Sequence, residues 1–166
     1  MSFELRKLSI NDGKDIYEML QEIAKDENGF INSVKSMTFE EYKQWLINND
    51  AISRGEGLES WMVPQSIFWL FKDGRPVGFG KVRHTLTENL RIEGGHIGYA
   101  IRPSERNKGY GTMLLKSLLQ EAKKLGIEKV LLTIRTNNYA SIKVALKNNG
   151  VIEKRNKKWY YIWIDC

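Results

Sequence analysis

Six consecutive residues, Arg106-Asn107-Lys108-Gly109-Tyr110-Gly111, have the types and spacing that hold an anion. An apolar run, Ile97 to Ile101, precedes them, and an amphipathic segment, Thr112 to Leu125, follows. In a strand, cationic glycine loop and helix of this kind, the first helical turn has N–H groups with no intrahelical partner. The helix dipole puts partial positive charge at the same end. Two glycines let a phosphate come close to the backbone. The stretch is read as the site of a phosphate-bearing ligand. Residues 1–101 carry 12 basic and 15 acidic side chains, whereas residues 102–158 carry 14 basic and 4 acidic. The basic half thus begins at the loop. Such asymmetry suits a polyphosphate, a nucleic acid or an anionic membrane, although a solvated basic face gives the same counts.

The elements that position this loop are legible in order. Phe3, Leu5 and Leu8 predict a strand, and Asn11 or Asp12 a helix cap before Ile16, Met19, Leu20 and Ile23. Asp26-Glu27-Asn28-Gly29 reads as a turn. Thr38 and Glu41 form a capping box for a short helix bearing Phe39, Tyr42, Trp45 and Leu46, and Asn48 to Glu59 reads as a loop. Ser66 to Lys72 and Pro76 to His84 are strands joined by a tight hairpin at Asp73-Gly74. Leu86 to Gly95 is a connection, and His96 to Arg102 is the strand that enters the loop. The helix after it buries Leu114, Leu115, Leu118, Leu119, Ala122 and Leu125, with Gly126 closing it. Lys129 to Thr136 is a buried strand, and Asn137 or Asn138 caps a short helix that ends at Gly150. Val151 to Arg155 and Trp159 to Ile164 make a last hairpin. This order predicts an α/β (α+β) fold with a mixed sheet covered by helices.

Length and composition bound the class. A chain of 166 residues is read as one domain, 1–166, with ordinary apolar and charged fractions. No run reaches the ~18 apolar residues of a membrane span, so no membrane partner is expected. The N-terminus lacks a signal-like apolar segment, and the only cysteine is Cys166. A cytoplasmic, reduced protein without disulfides or metal is expected.

With these residues in place the chain resembles the GNAT family of N-acetyltransferases. Arg106, Gly109 and Gly111 fit its Gln/Arg-x-x-Gly-x-Gly/Ala loop, and Asn138-Tyr139-Ala140-Ser141 resembles its Asn-x-x-Ala/Ser after the following strand. Gly95 to Arg106, with Val63-Pro64, Arg83-His84 and Asn148, is similar to one largely uncharacterised bacterial subgroup. The resemblance implies a mostly antiparallel central sheet of about seven strands flanked by about four helices. It implies acetyl transfer from acetyl-CoA to a primary amine on a small molecule, protein or peptide. The backbone of Arg106, Asn107, Lys108, Gly109, Tyr110, Gly111 and Thr112 would cradle the pyrophosphate. Ile101 and Arg102 would pair with the pantetheine arm through their backbones, Asn138 would bond it, and Ser141 would lie beside it. Lys108 is a phosphate contact by this reading, with Lys143 and Lys147 as candidates for the 3′-phosphate.

Amine attack on a thioester needs a neutral amine, a proton donor for the thiolate and donors for the oxyanion. His96 takes the place of a glutamate in many relatives and is the expected base, with Glu93, Glu88 and His84 as alternatives. The family's acid tyrosine falls on Ala145, so Tyr139, Tyr110 or water would substitute, or the thiolate would leave unassisted. The acceptor is expected to meet Phe30 to Trp61 and Leu86 to Gly95, whose acids would suit a cationic amine. Trp45, Trp61 and Trp69 are read as core or pocket wall. The rivals are a non-catalytic acyl-CoA binder of this fold and a basic nucleic-acid-binding protein. The latter lacks a recognisable motif, so no nucleic acid is expected. A dinucleotide enzyme lacks its Gly-x-Gly-x-x-Gly. The oligomeric state is open, a homodimer among the options.

Overall fold

The computed structural model describes residues 2–166. In chain order the elements are β1 (Phe3–Lys7), α1 (Lys14–Glu22), β2 (Asp26–Glu27), β3 (Phe30–Ile31), α2 (Phe39–Ser53), β4 (Gln65–Lys72) and β5 (Arg75–Arg83). They continue with α3 (Glu88–Ile92), β6 (Ile97–Ile101), α4 (Tyr110–Lys124), β7 (Lys129–Arg135), α5 (Tyr139–Lys147), β8 (Val151–Arg155) and β9 (Trp159–Asp165). A 3-10 turn, Pro103–Glu105, lies between β6 and the glycine loop. No helix is long and apolar enough to cross a membrane among the described residues.

Seven strands form the centre, as two antiparallel sheets, β1-β4-β5-β6 and β7-β9-β8. The expected seven-stranded sheet is thus divided between β6 and β7. The division has a local cause. At the head of β6 the two sheets are tied by His96 N–H to Leu131 O at 2.8 Å and by Leu131 N–H to His96 Nδ1 at 2.9 Å. Gly95 makes this approach feasible: its φ is +61°, and a Cβ there would stand 2.3 Å from Leu131 O. Past that point β6 and β7 share no ladder. Arg102 donates to Val77 O and His96 O accepts from Arg83 N–H, which marks the even-numbered peptide groups of β6 as those facing β5. The peptide groups of Ile97, Tyr99 and Ile101 therefore lie on an edge with no partner strand among the described residues, where Ile101 O accepts from Arg106 Nε at 3.0 Å.

Helices cover both faces. On one, Leu114, Leu115, Leu118 and Ala122 of α4 pack on Leu70, Val82, Ile97, Leu132 and Ile162. The approach is close enough that a Cβ at Gly80 would meet Leu118 Cδ1 at 2.7 Å. On the other, Met19 and Leu20 of α1 and Tyr42 and Leu46 of α2 pack on Ile67, Trp69, Phe71 and Phe79. These alternating sides give β5 its pattern, with Phe79 and Lys81 facing the α1–α2 layer and Gly80 and Val82 facing α4.

Local details depart from expectation where side chains found tertiary partners. The N-cap of α1 is Gly13, because Asp12 instead accepts from Ser9 N–H and from the buried Trp69 Nε1, each at 2.8 Å. The Thr38–Glu41 capping box is present, but α2 runs on to Ser53, through the first part of the expected loop. Asp26 to Gly29 does turn, with Asn28 and Gly29 both at positive φ, and the turn joins the two short strands β2 and β3. The expected connection from Leu86 to Gly95 holds α3, capped by the Thr87 hydroxyl from Leu90 N–H at 3.2 Å. Five residues are too few for a helical period to show.

Candidate active site

The split between the sheets opens a cleft of about 120 Å³. Its walls come from the exposed edge of β6 (Ile97, Gly98, Tyr99), from β7 (Leu132 to Ile134) and from the start of α5 (Asn138, Ser141). The β2–β3 ribbon closes one side with Glu27 to Ile31, and Lys81, Arg83, Glu93, Gly94 and Trp159 complete it. The ribbon is seated by Phe30, edge-on to Phe79 at 4.9 Å, and a Cβ at Gly98 would stand 2.8 Å from Phe30 Cδ1. The segment bearing Glu93 is pinned across to the second sheet, by Gly94 N–H to Thr133 Oγ1 at 2.9 Å and Tyr161 OH to Ile92 O at 2.8 Å.

The cleft joins two different faces. On the α4–α5 face, Asn107 and Gly109 hold positive φ, and Gly109 at +82° is the N-cap of α4. Among the described residues, the N–H groups of residues 107–112 have no intramolecular acceptor. This is the geometry an anion needs, and the pyrophosphate loop reading rests on it. Beside the loop is a shallow groove lined by Phe3, Lys108, Gly109, Tyr110, Thr112, Met113 and Lys116. Lys108 pairs with Glu105 at 2.8 Å, so in this state its ammonium serves the loop itself. Arg106 also braces structure, donating from Nε to Ile101 O at 3.0 Å and pairing with Glu27 of the ribbon at 2.9 Å. Lys143 and Lys147 are exposed on α5.

Asn138 caps α5, accepting from Ser141 N–H and donating to Ser141 Oγ at 3.1 Å. Tyr99 lies on the same face, its ring near Gly111 and its buried hydroxyl without a hydrogen-bond partner. Burial pushes its pKa up to about 12, against a smaller downward pull from the neighbouring Ser141, so the phenol stays protonated. An unpaired buried hydroxyl costs roughly 1–3 kcal/mol, and such a group is retained where a ligand satisfies it. The sequence reading passed over Tyr99. Alternation along β6 put Ile97, Tyr99 and Ile101 on one side, and only the missing neighbour strand shows that this side borders a cleft.

Four expectations about site residues change. His96 is not poised as a base: its Nδ1 lone pair is taken by Leu131 N–H, which leaves the proton of the neutral ring on Nε2. Burial, with Arg91 and Arg83 nearby, drives its pKa down to about 4. It works as a pin between sheets. Tyr139 is 77% exposed and does not line the cleft. Arg102 cannot pair with a ligand through its backbone, since its N–H bonds Val77 O and its C=O accepts from Glu105 N–H. Its buried guanidinium bonds Pro76 O at 2.9 Å and Glu22 at 3.2 Å, tying β6 to α1. The tryptophans also divide: Trp69 is wholly buried, while Trp61 is 74% exposed and forms neither core nor cleft wall. Of the other candidates, His84 bonds Ser66 Oγ at 2.8 Å, Glu88 is exposed on α3 and Tyr110 packs edge-on against Phe3. Ala145, where the resemblance would place an acid tyrosine, is core.

The family model for the acetyltransferase (GNAT) family matches residues 17–151. The chain belongs to the GNAT family. Solved structures agree in fold. The GNAT chain is similar to an acetyltransferase of this family from Streptococcus pneumoniae, with 17% identity, 98% of each chain covered and a TM-score of 0.66. The PaiA N-acetyltransferase from Thermoplasma acidophilum, solved with coenzyme A, is 23% identical over all of both chains, with a TM-score of 0.64. The N-acetyltransferase PseH from Campylobacter jejuni, solved with acetyl-CoA, is 16% identical over 99% of each, with a TM-score of 0.64. No curated protein sequence matches the chain. The chain thus carries the acetyltransferase family's model, and its structural neighbours include one solved with acetyl-CoA. Its own geometry fits that molecule: open N–H groups at residues 107–112 for the pyrophosphate, the unpaired edge at Ile101 and Tyr99 for the amide-bearing arm, and a donor hydroxyl deeper in.

Proposed function

We propose that this chain, acting as one acyltransferase domain, acetylates a primary amine that enters from the ribbon face. In this reading Glu93 accepts the amine proton and Tyr99 donates hydrogen-bonding or proton assistance at the thiol end. Bound acetyl-CoA supplies the activated thioester. The backbone of residues 106–112 holds its phosphates, Ile101 and Asn138 orient the arm, and Ser141 lies alongside. Lys108 becomes a phosphate contact once it leaves Glu105. Glu93 closes α3 at the cleft mouth, exposed and without an ion-pair partner among the described residues, so its carboxylate is free to take a proton. A cytoplasmic setting is supported by the single cysteine, Cys166, which is unpaired.

The observation that carries the assignment is the Tyr99 hydroxyl, buried, protonated and unpartnered at the cleft. Tyr99→Phe is expected to lower kcat roughly 10²-fold while leaving coenzyme A affinity within a factor of about two. Thiol release from acetyl-CoA across an amine panel, with calorimetry on the same preparations, checks both. Undiminished kcat would remove Tyr99 from the chemistry. Tight coenzyme A binding with no turnover on any amine would instead favour a non-catalytic binder. Glu93→Gln is expected to lower kcat/KM roughly 10²-fold, and an undiminished value would return the base role to water.

A further inference from the structure

Lys81 and Arg83 line the cleft on its ribbon side, Arg135 lies behind the lining residues Gly29 and Trp159, and none of the three has a carboxylate within ion-pair distance among the described residues. Lys81 Nζ donates to Ile31 O at 2.7 Å and stands over the Phe30 and Phe79 rings at 4.9 and 5.4 Å. Arg83 Nη1 donates to Gly94 O at 3.0 Å and Gly95 O at 3.3 Å. Arg135 has its Nε buried and unpaired, 3.9 Å from where a Cβ would stand on Gly29, and its guanidinium lies 5.7 Å from the Trp159 ring centre. Gly29 and Trp159 both line the cleft, which places this third cation behind its wall.

The nearby carboxylates do not neutralise them. Glu27 is committed to Arg106 at 2.9 Å, and Glu93 is exposed at the mouth. Carbonyls and ring faces solvate a cation in part, but half-buried positive charge without a counter-ion still carries a desolvation cost. A ligand anion would relieve it. The phosphates of the cofactor are expected on the opposite face, at residues 107–112.

Resting on the acetyltransfer reading above, we propose that the acceptor carries an anionic group, a carboxylate or phosphate, beside its amine, and that Lys81, Arg83 and Arg135 bind that group. This replaces the expectation of a cationic acceptor. Of the acidic residues of the first half only Glu27 and Glu93 line the cleft, and Glu27 is paired with Arg106, whereas Lys81 and Arg83 line it without a carboxylate partner among the described residues. The same cations make a neighbouring ammonium easier to deprotonate, which favours the nucleophilic form of the acceptor.

Matched acceptors test the proposal: alanine against alanine amide, and O-phosphoethanolamine against ethanolamine, with acetyl-CoA saturating. In at least one pair the anionic member is expected to have roughly tenfold or greater kcat/KM, the worth of one charge-assisted hydrogen bond. The ratio should fall toward one in Lys81→Gln and Arg135→Gln. Preference for the neutral member in both pairs, or a ratio untouched in both variants, would overturn it. A readout without turnover separates this from failure of the chemistry. Glutarate and inorganic phosphate, added to protein saturated with coenzyme A, should raise Tm in the wild type and less in either variant. Equal shifts in all three proteins would sink the anion site even if acetylation is observed.

Discussion

A histidine on the strand beside a thioester site invites the role of base, yet His96 shows how one backbone bond can settle a side chain's function. With Nδ1 accepting from Leu131 N–H, protonation would break the tie between the sheets. Its folded pKa of about 4 lies below the ordinary histidine value of 6.5. The unfolded chain therefore binds the extra proton more readily. Stability contributed by the neutral ring is present above pH 6.5 and is lost as pH falls through the window from 6.5 to about 4. Denaturant unfolding across that range is expected to show a falling midpoint, with a shallower fall in His96→Gln, whose amide oxygen can still accept from Leu131. Identical pH slopes in the two proteins would refute the pin. Lys81 has the opposite surroundings to a surface lysine: burial brings its ammonium down to about 8. The desolvation cost of charging it is felt at neutral pH and is relieved as pH rises from about 8 toward the ordinary 10.5.

At the scale of elements, the site depends on how closely backbones approach. Gly95 sets β6 against β7 at one end, and Gly80 lets α4 settle onto β5. Gly80→Ala puts a methyl within 2.7 Å of Leu118 Cδ1, where real Cβ atoms do not sit. A loss of roughly 1–3 kcal/mol is expected from such overpacking, read as a lower denaturation midpoint at unchanged m-value. No change in midpoint would mean that α4 shifts freely, and coenzyme A affinity would then be the measurement to follow. The ribbon is the other decisive element. Its Asn28-Gly29 turn is a strong local signal, but two-residue strands are invisible to periodicity, and only Phe30 docking on Phe79 and Gly98 makes it a cleft wall.

For the whole molecule, charge separates by half of the chain. The second half of the chain is strongly basic, and coenzyme A is highly anionic, so its affinity is expected to weaken as salt rises from ~50 to ~500 mM, with the change mainly in the association rate. Titrations at several ionic strengths check this, and a flat response would mean that the loop N–H groups, not the surrounding field, dominate binding. The Arg106–Glu27 pair adds a physical link between the glycine loop and the β2–β3 ribbon.

By itself the sequence determined the hairpin at Asp73-Gly74, the capping box at Thr38, the helix closing at Gly126 and the loop at Arg106 to Gly111, because each is decided by short-range backbone rules. It also determined the family, since the loop and the Asn138 stretch are local patterns. Tertiary structure alone decided where the sheet divides and which β6 residues border the opening. It decided that Arg102 and His96 hold the fold, that Tyr139 faces solvent and Tyr99 the cleft, and that Lys81 and Arg83 line that cleft. These are questions of which distant groups meet. Lys81, Arg83 and Arg135 are brought together only by the crossing of β5, β6 and β7, and no short stretch of sequence encodes that meeting.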